Sequence, residues 1–148
     1  MLNLVYFHYH DRSLSLLHKR SIREFIGFIF LTEKKKLHRL DYVFCGDDYL
    51  LELNKEYLNH NYYTDIITFS LPEIQKTITG EIYISLDRIK ENAKKYDVNM
   101  RDEVLRVVFH GALHLCGYRD KSRNQIKIMR AKENKYLLLF KKLNSSSK

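Results

Sequence analysis

Two histidines stand four residues apart in the most apolar stretch of the chain, and an aspartate follows six residues after the second: His110, His114 and Asp120. On a helix that spacing projects both imidazoles from one face about a turn apart, so two ring nitrogens can reach one ion at roughly 2.0–2.1 Å. Gly117 lets the backbone turn back, and a carboxylate at Asp120 can complete three protein ligands, leaving a fourth position for water. That is the catalytic rather than the structural arrangement of zinc, and one Zn²⁺ per chain is expected. Spacing alone leaves a second reading open, in which each imidazole is buried separately and finds its own hydrogen-bond partner.

Two neighbours bear on the choice. Gly111 sits in mid-helix, which costs about 1 kcal/mol against alanine and asks for a reason such as close packing. It also occupies the position where HExxH peptidases carry their glutamate general base, so a metallopeptidase of that type is disfavoured. Cys116 falls on a different helical face from His114 and reads as a small core residue.

These side chains need a frame. Asn99 is a fitting N-cap, Val104, Leu105, Val108, Phe109, Ala112 and Leu113 form an apolar stripe, and Gly117 stands where helices commonly end, which predicts a helix over 99–116. Upstream, β-formers crowd 2–9, a turn follows at 11–13, and Leu17, Ile22, Phe25, Ile26 and Ile29 recur at helical spacing within 15–35. The lysines at 34–36 suit the negative end of that helix. Alternation of Leu40, Tyr42 and Phe44 predicts a strand over 39–45. Gly46, Asp47 and Asp48 form a turn and N-cap for a helix over 49–57, with Leu50, Leu53 and Tyr57 on one face. A polar and aromatic loop at 59–64 leads into strands over 65–71 and 79–85. Ser85 can cap a helix to about residue 96, and Ser122 with Gln125 has the form of a capping box opening a last helix to about residue 143. The expected fold is α+β: a small mixed β-sheet of about four strands packed with helices, the metal-binding helix in the interior in a zincin-like placement, its histidines facing a cleft.

The chain has 148 residues, 45% of them hydrophobic, which fits a single hydrolase domain over 1–143 and a disordered polar tail over 144–148. Its 26 lysines and arginines against 18 acidic residues give a net charge of +8, which favours anionic partners, nucleic acid above all. Lys90, Lys94, Lys95, Arg101, Arg106, Lys121, Arg123, Lys127 and Arg130 could line an RNA track, and Tyr62, Tyr63 and Tyr118 could stack on unpaired bases. Cys45 and Cys116 make no disulfide framework or CxxC motif. No signal peptide or membrane-spanning run is visible, so a cytoplasmic location with no membrane partner is expected.

Longer motifs narrow the function. His110-Gly111-Ala112-Leu113-His114-Leu115-Cys116-Gly117-Tyr118 resembles the HGxLHLxGY signature of the YbeY family, bacterial metal-dependent endoribonucleases that mature ribosomal RNA. Leu53-Asn54, Tyr57 and Thr64-Asp65-Ile66-Ile67-Thr68-Phe69 are similar to the family's LN…Y…TDVLSF, and Gly80-Glu81-Ile82-Tyr83-Ile84 resembles its GDI-type strand. The resemblance implies a single-strand-specific endoribonuclease acting on rRNA precursors, with a ribosomal subunit or ribosomal proteins as further partners.

Two departures from the family pattern stand out. Asp120 replaces the usual third histidine, and Arg119 the aspartate before it; aspartate is an acceptable oxygen ligand. Leu58 replaces the arginine that commonly follows the tyrosine and is implicated in catalysis. His60, Asp65 and Arg106 are the candidates for the catalytic role thereby left open, Thr64 and Asp65 lying near the metal cleft in the resembled family. The rival from another class is a non-catalytic ribosome-associated RNA-binding protein whose metal is structural.

Overall fold

Leu40, Tyr42 and Phe44 alternate because every second side chain of a strand points to the same face, and all three are fully buried in the computed structural model, which describes residues 4–16 and 18–145. Their strand, β2 (Leu37–Cys45), runs parallel to β1 (Val5–Tyr9) on one side and to β4 (Ile78–Ser85) on the other. β3 (Ile66–Ser70) closes the far edge antiparallel to β4, giving the order β1-β2-β4-β3. In register, Leu40 faces Val5 across one ladder, and Tyr42 faces Ile82 across the other. The sheet is mixed and four-stranded, as the sequence predicts, and asymmetric: three parallel strands and one antiparallel edge.

Helix α1 (Lys19–Thr32) buries Ile22, Phe25, Ile26 and Ile29, the periodic residues, and Phe30 beside them. It starts later than residue 15, since His18 takes a left-handed conformation just before it; Leu17 and the first residues of the predicted first strand lie outside the described residues. Helix α2 (Asp47–Leu58) packs Leu50 and Leu53 inward as expected but not Tyr57. Leu50 is buried, but its second buried residue is Asn54, whose side-chain amide donates to the Tyr62 carbonyl at 2.9 Å, while Tyr57 is exposed and meets Phe69 edge-on. A polar side chain goes inside there because it ties down the 59–65 loop.

Helix α3 (Leu86–Lys95) and helix α4 (Met100–Leu115) begin at their predicted caps: the side chains of Ser85 and Asn99 accept from the backbone N–H groups of Arg88 and Asp102. The capping box before α5 (Arg123–Ser145) also forms, Ser122 Oγ accepting from the Gln125 N–H and Gln125 Oε1 from the Ser122 N–H, both at 3.1 Å. That helix continues through Asn144 and Ser145; the remainder of the expected tail, 146–148, lies outside the described residues. No helix among the described residues is long and apolar enough to cross a membrane.

Helix α4 lies in the interior, with Val104, Leu105, Val107, Val108, Phe109, Ala112 and Leu113 buried. A Cβ on Gly111 would sit 2.8 Å from Ile82 Cδ1 and 3.1 Å from Ile66 Cδ1, so this glycine lets the helix press onto β3 and β4. The buried Tyr42 hydroxyl donates to the Val108 carbonyl at 2.8 Å, fastening the sheet's central strand to the turn before His110.

Candidate metal centre

His110 and His114 project from the half-buried side of α4, one turn apart, with ring centroids 4.5 Å apart and planes at 86°. Asp120 Oδ2 lies 3.2 Å from His110 Nε2 and 3.3 Å from His114 Nε2. One ligand atom from each of the three residues falls within 4.8 Å of the other two, a candidate metal-binding group. The predicted trio is therefore brought together, with the aspartate shared by both rings.

The other side of each ring decides what the converging nitrogens can do. His114 Nδ1 is 2.9 Å from the Tyr118 carbonyl oxygen, which only accepts, so Nδ1 carries a hydrogen and Nε2 is the nitrogen left to face an ion. His110 Nδ1–H donates to Glu133 Oε2 at 2.6 Å, with the same consequence. Imidazoles that bind metals are ordinarily oriented in this way, by a carboxylate or a backbone carbonyl behind them. Two imidazole nitrogens and a carboxylate oxygen are a zinc-type donor set. The alternative of two unrelated buried histidines is disfavoured, since both Nε2 atoms and one carboxylate oxygen converge on a single point.

Asp120 reaches this point by a turn encoded at the helix end. Gly117 has φ +109°, its N–H donates to the His114 carbonyl, and the Tyr118 N–H donates to the Leu113 carbonyl. That bonding pattern satisfies the last carbonyls of the helix and reverses the chain. The Tyr118 hydroxyl then donates to Glu33 Oε1 at 2.7 Å, and Glu33 Oε2 accepts from the Tyr136 hydroxyl and from Lys132 Nζ. Burial pushes the Glu33 carboxyl up, but the donors Tyr118, Tyr136 and Lys132 outweigh it and hold it below the ordinary carboxylate range.

Glu133 is buried on the apolar face of α5 with Met129, Tyr136, Leu137 and Phe140. Its second oxygen accepts from Arg106, whose guanidinium also donates to Asn134 at 2.9 Å. Burial raises Glu133, and the His110 hydrogen bond and charge, with Arg106 and Arg130, bring it below its usual value. Burial lowers His110, but Glu133, Asp120 and Asp65 leave it raised. Sequence reading missed Glu133 and Glu33. Glu133 had a signal, an acid at an interior position of an amphipathic helix, which demands a partner; Glu33, beside three lysines, had none.

Next to His110 opens a cleft of about 470 Å³, into which Asp65, Glu103, Arg106, Arg130 and Glu133 face. Asp65 and Arg106, two of the three candidates for catalysis, line it. Burial pushes the Asp65 carboxyl above its ordinary value, which His110 only partly opposes. His60 is not among the lining residues; its ring stacks on Tyr62 and its Nδ1 pairs with the Tyr62 hydroxyl at 2.9 Å. The Tyr118 hydroxyl is held by Glu33 and Lys132 Nζ lies 5.4 Å from its ring centroid, so this tyrosine props the loop. Tyr62 and Tyr63 are exposed, the latter beside Arg88. Lys90, Lys94 and Lys95 on α3 and Lys121, Arg123, Lys127 and Arg130 around α5 are solvent-exposed; Arg101 and Arg106 are half-buried. The Cys116 thiol is buried, which pushes it up to about 12, so it stays protonated in the core.

The family model described as Endoribonuclease YbeY matches residues 8–141. The Endoribonuclease YbeY of Cytophaga hutchinsonii is 43% identical over 137 residues, covering 93% of this chain and 96% of that one. That of Karelsulcia muelleri is 41% identical over 135 residues, with 91% and 95% covered. The solution structure of a Thermotoga maritima protein is 26% identical, covers 97% of this chain and 93% of its own, and matches with a TM-score of 0.68.

Proposed function

The chain belongs to the YbeY family of endoribonucleases, and from that premise we propose that it is a metal-dependent, single-strand-specific endoribonuclease whose ion, Zn²⁺, is held by His110, His114 and Asp120. The observation that carries this reading is the convergence of two back-bonded imidazoles and one carboxylate, one of the imidazoles, His110, lining a cleft. When bound, the ion supplies a Lewis acid for the phosphodiester and lowers the pKa of a water towards neutrality. Glu133 and the Tyr118 carbonyl orient the two rings. Asp65, inside the cleft and raised by burial, is the group we assign to hold or hand over the proton for the leaving oxygen. Arg106, held in the cleft by Glu133 and Asn134, is the cation we assign to the role that Leu58 cannot fill.

The substrates implied by the family are rRNA precursors, with the ribosomal subunit as partner, the cytoplasm as compartment and residues 1–143 as one domain. The net charge of +8 supports an anionic substrate. A peptidase reading is opposed by Gly111: a glutamate there would drive its Cβ against Ile82 and Ile66. The structural-metal alternative is opposed by the open cleft beside the ligands. The test is cleavage of an unstructured RNA by the wild type and by His114→Ala, with folding followed by circular dichroism. Activity in the wild type alone supports the proposal; equal residual activity in both contradicts it and points to a contaminating nuclease.

A further inference from the structure

Glu103 is the side chain in the cleft that neither the fold nor the metal centre uses. It lies on α4 seven residues before His110, two turns away on the same side, and lines the cleft with Asp65, Asn92 and Tyr96. The residue is 8% exposed, yet among the described residues its carboxylate has no hydrogen-bond or ion-pair partner. Its neighbour Asp102 already serves the helix start and pairs with Lys141 at 2.6 Å. The Glu103 oxygens open into the cleft, where Arg106 and Arg130 are the nearest favourable charges and a donor brought in by a ligand can be accepted.

The spacing says where that donor comes from. Seven residues of helix separate Glu103 from His110 by about 10 Å, the scale of the reach from a phosphate held at the metal to the edge of a base in the same nucleotide. Tyr96, 60% exposed, lines the cleft as well, with Lys95 Nζ 5.4 Å from its ring centroid. Single-stranded RNA is read in this manner, an unstacked base lying on an aromatic ring with its edge hydrogen-bonded by side chains. A carboxylate only accepts, so it pairs with a base that presents an exocyclic amino group, as cytosine, adenine and guanine do; uracil presents a carbonyl there.

We propose that the cleft beside the metal centre is a nucleobase pocket in which Glu103 selects amino-bearing bases and Tyr96 supplies the stacking surface. This rests on the ribonuclease reading. The test compares kcat/KM of the metal-loaded protein on oligo(C) and oligo(U). Wild type is expected to favour oligo(C) by about tenfold or more, the scale of a hydrogen bond to a charged group. Glu103→Gln, which can donate to a carbonyl, is expected to lose or reverse the preference at unchanged metal content. Tyr96→Ala, at the exposed rim, is expected to weaken both substrates alike by about tenfold.

Equal use of the two oligomers by wild type, or a preference that survives Glu103→Gln, overturns the pocket while leaving the ribonuclease reading standing. Unchanged kinetics in Tyr96→Ala also overturns it. Cleavage of neither oligomer sinks the ribonuclease reading instead. The pocket is then decided by equilibrium dialysis with CMP and UMP: tighter CMP binding that Glu103→Gln abolishes supports it, and equal binding overturns it.

Discussion

The two histidines of the candidate metal centre are held from behind in different ways. His110 leans on a side chain, the buried Glu133 carboxylate of α5, itself gripped by Arg106. His114 leans on the backbone, the Tyr118 carbonyl, placed by the glycine turn at the helix end and propped through the tyrosine hydroxyl on Glu33 of α1's C-terminal end. One support can be removed by changing a single carboxylate. The other is written into the chain's path, and side-chain changes reach it only at second hand. The contrast teaches that a three-residue site has two anchorages of unequal fragility, one charged and one conformational.

The largest break is expected on the charged side. Glu133→Gln keeps the shape but removes the charge behind His110 and leaves Arg106 without its carboxylate, so metal affinity should fall about 10- to 100-fold, read by competition with a chromophoric chelator. On the conformational side, Glu33→Gln should lower affinity several-fold at most, because the turn and the Tyr118 carbonyl persist. The same variant has a pH signature. The folded-state carboxyl of Glu33 is depressed, so its contribution to stability is present above the unfolded value of about 4.3 and is lost as pH falls through the lower folded value. Glu33→Gln should therefore flatten the acid limb of a thermal-stability profile without altering the neutral plateau difference from pH 6 to 8. Tyr118→Phe, which cuts the prop but spares the carbonyl, should be milder still, about twofold in metal affinity. Combining Glu133→Gln with Glu33→Gln should give nearly additive losses, since the two supports share no partner; strong coupling would mean that they act as one network.

Much of this was legible in the residues. The strand alternation at Leu40, Tyr42 and Phe44, the caps at Ser85 and Asn99 and the Ser122–Gln125 box are local signals, and local physics decides them. The glycine at 111 announced close packing, and Ile82 and Ile66 are what it packs against. The trio His110, His114 and Asp120 was readable because a helix repeat and a glycine turn fix all three within eleven positions. What escaped was long-range. Glu33 is 85 residues from Tyr118, and no periodicity joins them. Asn54 is buried on α2 while Tyr57 of the predicted face is exposed, because Asn54 serves a loop, not a core. His60 was drawn in because it lies two residues after Leu58, and its ring pairs with Tyr62. Glu103, an acid in the first turn of α4, carries no signal of its own, and only the folded cleft gives it a place.

The claim beneath all of this is that residues 110, 114 and 120 share one ion. Native mass spectrometry of the purified wild type beside Asp120→Ala tests it directly, counting metal per chain in each. One zinc per wild-type chain, with the variant folded and largely empty, is the result this account predicts. A wild type that cannot be loaded, or a variant that keeps its ion as firmly as the parent, would contradict it.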